Sequence, residues 1–395
     1  METRKLIKNG YDMIYLSACA LHGKVPSREA VCKMDLKSVY NLSVRHSMQA
    51  VCFMALESLM TTDGDFAASI PLDLLKDWRI AKGEAIRNNV LFENERNRIL
   101  AYFEQNGIWY MLLKGSVIEK YYSRLGMRQM CDVDILFDID FREQIHDYML
   151  ENGYLVKTYN NQYPDAYVKA PAFLFELHFA LYTEFSGKEP ILSYYTDIFP
   201  RLIKDSDNNF GYHFSDEDLY IYNTTHAYKH YTSAGNGVRS LMDIFAFVSK
   251  KKNELDWQYI KGECEKLLIN DYEASARNLA FKLFSKDCIN LNYNDVLTDD
   301  ELEMLLFCLG SGVYGTTENR IRLRMSRSVN KKGKQSKLRY VLGRVFPDME
   351  FYRMYYPFIY KHRILIPFFI VYRMIRQFFK NFKKLAFEFK LLLKK

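Results

Sequence analysis

Along the first hundred residues apolar side chains return every three or four positions, as in Tyr40, Val44, Met48, Val51, Ala55 and Leu59, and strand-like alternation is missing. The spacing predicts helices. Pro71 opens a further helical stretch, rich in Arg, Glu, Asn and Leu over residues 78–103, and Asn106-Gly107 stops it. The pattern then changes: residues 108–113, Ile-Trp-Tyr-Met-Leu-Leu, form a short apolar run of β-formers and predict a buried strand. Lys114-Gly115-Ser116 ends the run, with Ser116 placed to cap a helix that begins at Val117. Beyond a polar loop carrying Arg124, Gly126 and Arg128, residues 131–137 predict a second strand and residues 141–152 a short helix ended by Gly153. Strands over 154–159 and 173–181 follow, joined through Pro164 and Pro171. Residues 216–284 return to helical spacing with one interruption at 233–237, and 301–309 predicts another helix. Four regions result: a helical 1–105, a sheet-bearing 106–215, a helical 216–319, and a C-terminal 320–395.

Composition sets the class. Of 395 residues 49% are hydrophobic and 26% charged, with only 18 Gly and 9 Pro, which excludes a disordered or fibrous chain. The net charge of +7 hides an asymmetry: residues 320–395 hold 21 Lys and Arg against 3 Asp and Glu, a local +18, and the first 319 residues carry −11. No signal-peptide apolar stretch is expected at the N-terminus, where Lys8, Asn9 and Asp12 interrupt the first turns. The apolar run at 364–372 spans nine residues, against about 20 for a membrane-spanning helix. Seven cysteines without a CxxC pair read as free thiols of a reducing cytoplasm.

Chemistry concentrates where the pattern changes. Asp132 and Asp134 are two apart on a predicted strand, so both carboxylates face one side and raise one another's pKa unless a cation intervenes. Mg²⁺ suits such a pair, completed by phosphates and water. Glu176, inside the apolar run 173–179, is a third acid that is costly to bury unless paired or metal-bound, and His178 shares its face. Asp-x-Asp alone more simply suits a solvated strand end or turn. The preceding turn shifts that balance: Gly115 admits a phosphate close to the backbone, Ser116 offers a hydroxyl, and Lys114, Arg124 and Arg128 bring positive charge to an otherwise acidic body. An anion cradle followed by a metal-binding strand asks for a nucleoside triphosphate.

The residues Leu112-Leu113-Lys114-Gly115-Ser116, Arg128, Cys131-Asp132-Val133-Asp134-Ile135-Leu136 and Phe175-Glu176-Leu177-His178-Phe179, in this order, resemble the uncharacterised nucleotidyltransferase family of the DNA polymerase beta-like superfamily. Its members show a Leu-Lys-Gly turn, an Arg before an Asp-x-Asp strand, and an Asp-x-His strand. The resemblance continues into His226-Ala-Tyr-Lys-His230 and Arg239-Ser-Leu-Met-Asp243 and covers roughly residues 35 to 375 in order of elements. It implies an α+β fold with a polymerase-beta-like core, a small mixed β-sheet flanked by helices, and a helical 216–319 region that completes the nucleotide pocket. It further implies transfer of an NMP from an NTP to a hydroxyl acceptor (small molecule, protein or RNA) with loss of pyrophosphate. Asp132, Asp134 and Glu176 would hold Mg²⁺ or Mn²⁺ and carry catalysis. Lys114, Gly115, Ser116, Arg124, Arg128, His178, His226, Arg239 and Asp243 would surround the nucleotide. One departure stands out: Glu176 occupies a position where the family pattern usually has Asp. It favours the alternative of a nucleotidyltransferase-like binding protein that has lost turnover.

Other signals point less far. His226 and His230 share a helix face, but no Glu follows His226 and no third ligand has zinc-motif spacing. Arg239 and Asp243, also four apart, most simply form a helical ion pair. Gly310-Ser-Gly312-Val-Tyr-Gly315 matches a dinucleotide fingerprint in letters only, since a helix precedes it, and reads as a helix stop. Cys131 is expected to face the core. The basic, aromatic region 320–395, with an apolar stripe at Ile375, Phe378, Phe379, Phe382, Leu385 and Phe389, suits anionic lipid, an RNA backbone or self-docking, and the protein is expected to be cytoplasmic or peripheral to a membrane. The lysine-rich 330–337 is the expected linker.

Overall fold

The structure, a computed structural model, describes residues 2–160, 163–171, 173–183, 189–289, 296–327, 337–376 and 379. Residues 330–336 of the expected linker, and Phe378, Phe382, Leu385 and Phe389 of the expected stripe, lie outside the described residues. The chain forms two compact units, one of residues 1–229 and 236–313, the other of residues 230–235 and 314–395.

The first unit begins with helices Glu2–Leu21, Leu36–His46, Gln49–Thr62 and Leu72–Asn106. Asp35 caps the second by accepting the Ser38 N–H at 3.0 Å. The third is buried almost all round, from Ala50 to Leu56 and at Leu59, because it lies between its neighbours. Trp78 is fully buried against Tyr40 and Phe53, with ring centroids at 4.8 and 6.1 Å. Gly107, at φ 71°, ends the long helix in the left-handed conformation that Asn106-Gly107 predicts.

Seven strands form one mixed sheet: Tyr110–Leu113 (β1), Val133–Phe137 (β2), Leu155–Thr158 (β3), Asp165–Lys169 (β4), Phe173–His178 (β5), Ile203–Lys204 (β6) and Gly211–His213 (β7). Their order is β3-β4-β5-β2-β1-β7-β6. β2 is central, antiparallel to β1 and parallel to β5, and all five of its residues are buried. Strand alternation divides its side chains. Val133, Ile135 and Phe137 join Phe173, Phe175 and Leu177 in a core closed by Phe92, Ile99 and Phe103 of the long helix and by Ile145 and Met149 of helix Arg142–Glu151. Asp134, Glu176 and His178 take the opposite face.

Several expectations are corrected. The second strand starts at Val133, where pairing with Phe175 begins, so Asp132 lies just ahead of it and Cys131 is half-buried instead of in the core. β4 has no counterpart in the sequence reading, because Pro164 and Pro171 flank it; both stand outside the ladder. β6 and β7 are too short to show a period. Region 216–284 breaks at 234–237 and again at 252–256 and 267–269, giving helices Asp216–Ser233, Val238–Lys251, Trp257–Lys266 and Asn270–Phe284. The glycines of 310–315 do serve a helix end, with helix Asp299–Ser311 stopping at Gly312, φ 65°. Among the described residues no helix is long and apolar enough to cross a membrane.

His46 ties three segments of this unit. Its Nδ1 accepts the Val238 N–H at 3.2 Å, so Nε2 carries the proton and donates to the Leu309 carbonyl at 3.3 Å. Burial pushes its pKa from 6.5 down to about 4, with Arg45 and Arg239 acting in the same sense against the Leu309 hydrogen bond. Above pH 6.5 both folded and unfolded chains hold it neutral; as pH falls from 6.5 towards 4 the unfolded chain alone takes up the proton, and stability is lost. Urea unfolding is expected to show about 2 kcal/mol of stability lost through His46 between about pH 7 and pH 5. A His46→Gln variant, measured alongside, should lack this part of the pH dependence.

Candidate active site

The parallel pairing of β2 and β5 sets Asp134 directly beside Glu176 and Leu136 beside His178. Single ligand atoms of Asp134, Glu176 and His178 all lie within 4.8 Å of one another. Asp134 and His178 are buried and Glu176 is half-buried. Asp134 Oδ1 accepts from Lys114 Nζ at 2.7 Å and from His178 Nε2 at 2.8 Å. Burial alone would raise the Asp134 pKa, but Lys114 and His178 override it and hold the carboxyl well below the usual range. Burial and the facing Asp134 push Glu176 up. Asp132, at the mouth of the strand, is raised by burial and by Asp134, against the pull of Lys114, Arg239 and Arg128. His178 is pushed down by burial and by Lys114, so a neutral ring donates its Nε2–H to an ionised Asp134.

The turn after β1 is strained where it meets these carboxylates. Lys114 has φ 47° and ψ −117°, a conformation that costs a non-glycine residue about 1–3 kcal/mol. It aims the ammonium at Asp134, whose attraction outweighs burial and raises the Lys114 pKa. The helix that follows starts at Gly115 and spans only Gly115–Ile118, so Ser116 lies inside it and is not its cap. Ser116 Oγ is buried with no hydrogen-bond partner among the described residues. Gly115 has a packing reason besides backbone access: a Cβ there would meet Arg128 Nη1 at 2.7 Å.

Arg128 lies against the turn at Gly115 and is held there by an ion pair. Its Nε and Nη2 grip Asp243 Oδ1 and Oδ2 at 2.9 and 3.1 Å, and Tyr122 donates to the same Oδ1 at 2.7 Å. Its carbonyl accepts from Asn89 of the long helix at 3.1 Å. The expected Arg239–Asp243 helical pair is therefore corrected: Asp243 pairs with Arg128, and Arg239 Nη1 bonds the Gln129 carbonyl at 3.2 Å. Arg124 is exposed in the loop, and His226 is half-buried with its ring 6.5 Å from that of Tyr222. Lys229 was not singled out by sequence. Burial and Lys114 lower its pKa to about 8, against Glu176 and Asp134, which puts its charge within reach of the carboxylates. Only its place in His226-Ala-Tyr-Lys-His230 signalled it.

The donor set suits a divalent cation. Two facing carboxylates, Asp134 buried and Glu176 half-buried, repel, and the Lys114 ammonium partly neutralises them. Carboxylate oxygens are ligands for Mg²⁺ or Mn²⁺, while the hydrogen bond from His178 orients Asp134.

A family model described as Uncharacterised nucleotidyltransferase matches residues 33–285, which include every one of these side chains. No curated protein and no solved structure matches the chain.

Proposed function

Because the chain belongs to the uncharacterised nucleotidyltransferase family, we propose that it is a metal-dependent enzyme that moves an NMP from an NTP onto a hydroxyl acceptor. The observation that carries this reading is the facing of Asp134 and Glu176 on neighbouring parallel strands, with His178 and Lys114 both bound to Asp134.

Asp134 and Glu176, with Asp132 beside them, would hold Mg²⁺ or Mn²⁺. A bound metal supplies charge for the phosphates and a clamp on the attacking and leaving oxygens. The chain's own residues do the rest. Lys114 and Lys229 add positive charge on the carboxylate side, where an acidic body would otherwise repel a triphosphate. The buried Ser116 hydroxyl is available to a phosphate oxygen. Glu176, its pKa raised, takes the acceptor hydroxyl proton as the oxygen bonds to the α-phosphorus and the bond to pyrophosphate breaks. The Arg128–Asp243 pair positions the turn without needing to touch the nucleotide.

The test is incubation of the protein with each α-labelled NTP, Mg²⁺ or Mn²⁺ and a crude cell extract. Label should pass to protein, RNA or a small molecule, and that product names the acceptor class. No label in any fraction with any NTP would favour the non-catalytic binding protein.

A further inference from the structure

The second unit carries a helix with two different faces. Over residues 366–376 it keeps Ile366, Phe369, Ile370 and Arg373 partly covered. Phe369 packs on Tyr356 and on the buried Tyr352, with ring centroids at 4.4 and 6.2 Å, and Arg373 lies 4.9 Å over the Phe351 ring. The other face is apolar as well, yet open to water. Phe368, Val371 and Ile375, spaced three and four apart, are 73%, 56% and 54% exposed, and Ile364 just before the helix is 86% exposed. A stripe of this kind marks a contact surface. Lys361, Arg363 and Arg376 near it are exposed, within a region where 21 Lys and Arg stand against 3 Asp and Glu.

We propose that this face is a membrane-contact surface, lying flat in the headgroup layer of an anionic bilayer with Ile364, Phe368, Val371 and Ile375 among the acyl chains and the basic side chains on lipid phosphates. Charge complementarity selects an anionic partner, and the aliphatic side chains select lipid over RNA. Bases stack on rings; of the four side chains of this face only Phe368 carries one, and Ile364, Val371 and Ile375 offer none. Among the described residues no helix is long and apolar enough to cross a membrane, and the proposal is of a surface that lies on the bilayer. It would hold the protein at the bilayer independently of any nucleotide chemistry.

The test is flotation of the full chain with vesicles of phosphatidylcholine and phosphatidylglycerol in equal parts, and of phosphatidylcholine alone, beside retention on a mixed-sequence RNA. The protein should float with the anionic vesicles only, and high salt should weaken the association. A Phe368→Ser/Val371→Ser/Ile375→Ser variant changes exposed positions and keeps every charge; its vesicle affinity should fall by at least about tenfold, with circular dichroism unchanged. If that variant misfolds, Arg363→Glu/Arg376→Glu decides, and it too should detach. Wild-type protein that stays off anionic vesicles, or variants that float like wild type, would overturn the proposal. So would RNA retention stronger than vesicle binding and weakened by the same substitutions, which would assign the surface to RNA.

Discussion

An Asp134→Asn variant is expected to lose nucleotidyl transfer by about a thousandfold or more while remaining folded, equivalent to about 4 kcal/mol of transition-state stabilisation. Asn keeps the shape and still accepts hydrogen bonds from Lys114 and His178, so packing on the buried side of β2 changes little. What disappears is the charge. Asp134 is the one of the three carboxyls held below its ordinary range, whereas burial and mutual repulsion raise Asp132 and Glu176. Without it only Asp132 and Glu176, on each of which Lys114 already acts, are left to balance the Lys114 ammonium, and the site loses its permanently ionised member. Initial rates of label transfer beside a thermal melt separate this from misfolding. A variant within about tenfold of wild type would remove Asp134 from the chemistry.

The second large effect is on stability. Asp243→Asn is expected to cost about 3–5 kcal/mol in urea unfolding, because Arg128 would be left as a buried cation without its carboxylate. Replacing both partners with apolar residues, as in Arg128→Met/Asp243→Leu, should recover most of the loss, since no charge is then left buried. The pair links the loop before β2 to helix Val238–Lys251, and the Arg128 guanidinium rests on Gly115 of the turn. Activity in the stable double variant therefore reports whether the pair only positions the turn or also touches substrate. A single variant within about 1 kcal/mol of wild type would contradict the buried-pair account.

The parts legible in the sequence were those with strong local chemistry. The apolar run of β1, the Asp-x-Asp strand and the Glu-x-His strand carried their own signals, and the pairing of β2 with β5 brought Asp134, Glu176 and His178 together. Partner choice was less visible. Arg239 and Asp243 stand four apart on one helix, yet Asp243 bonds an arginine 115 positions away, and helical spacing cannot rank a local partner against a distant one. Ser116 looks like a cap if the helix starts at Val117, two residues too late; the strained φ of Lys114 starts it at Gly115. Lys229 was hidden for a similar reason, since a lysine on a helix is ordinarily solvated, and only the fold sets it near Lys114, Glu176 and Asp134. β4 was obscured by flanking prolines that end the ladder without entering it.

The central claim is that Asp134 and its neighbours on β2 and β5 form a divalent-cation site for a nucleotide. Its most direct test is titration of wild-type protein and Asp134→Asn with Mn²⁺, in the presence of a non-hydrolysable NTP analogue, followed by the loss of the free-ion electron paramagnetic resonance signal. Saturable uptake by wild type that Mg²⁺ competes away and Asp134→Asn lacks is the predicted result. Equal uptake by the two proteins, or none by wild type, would contradict it.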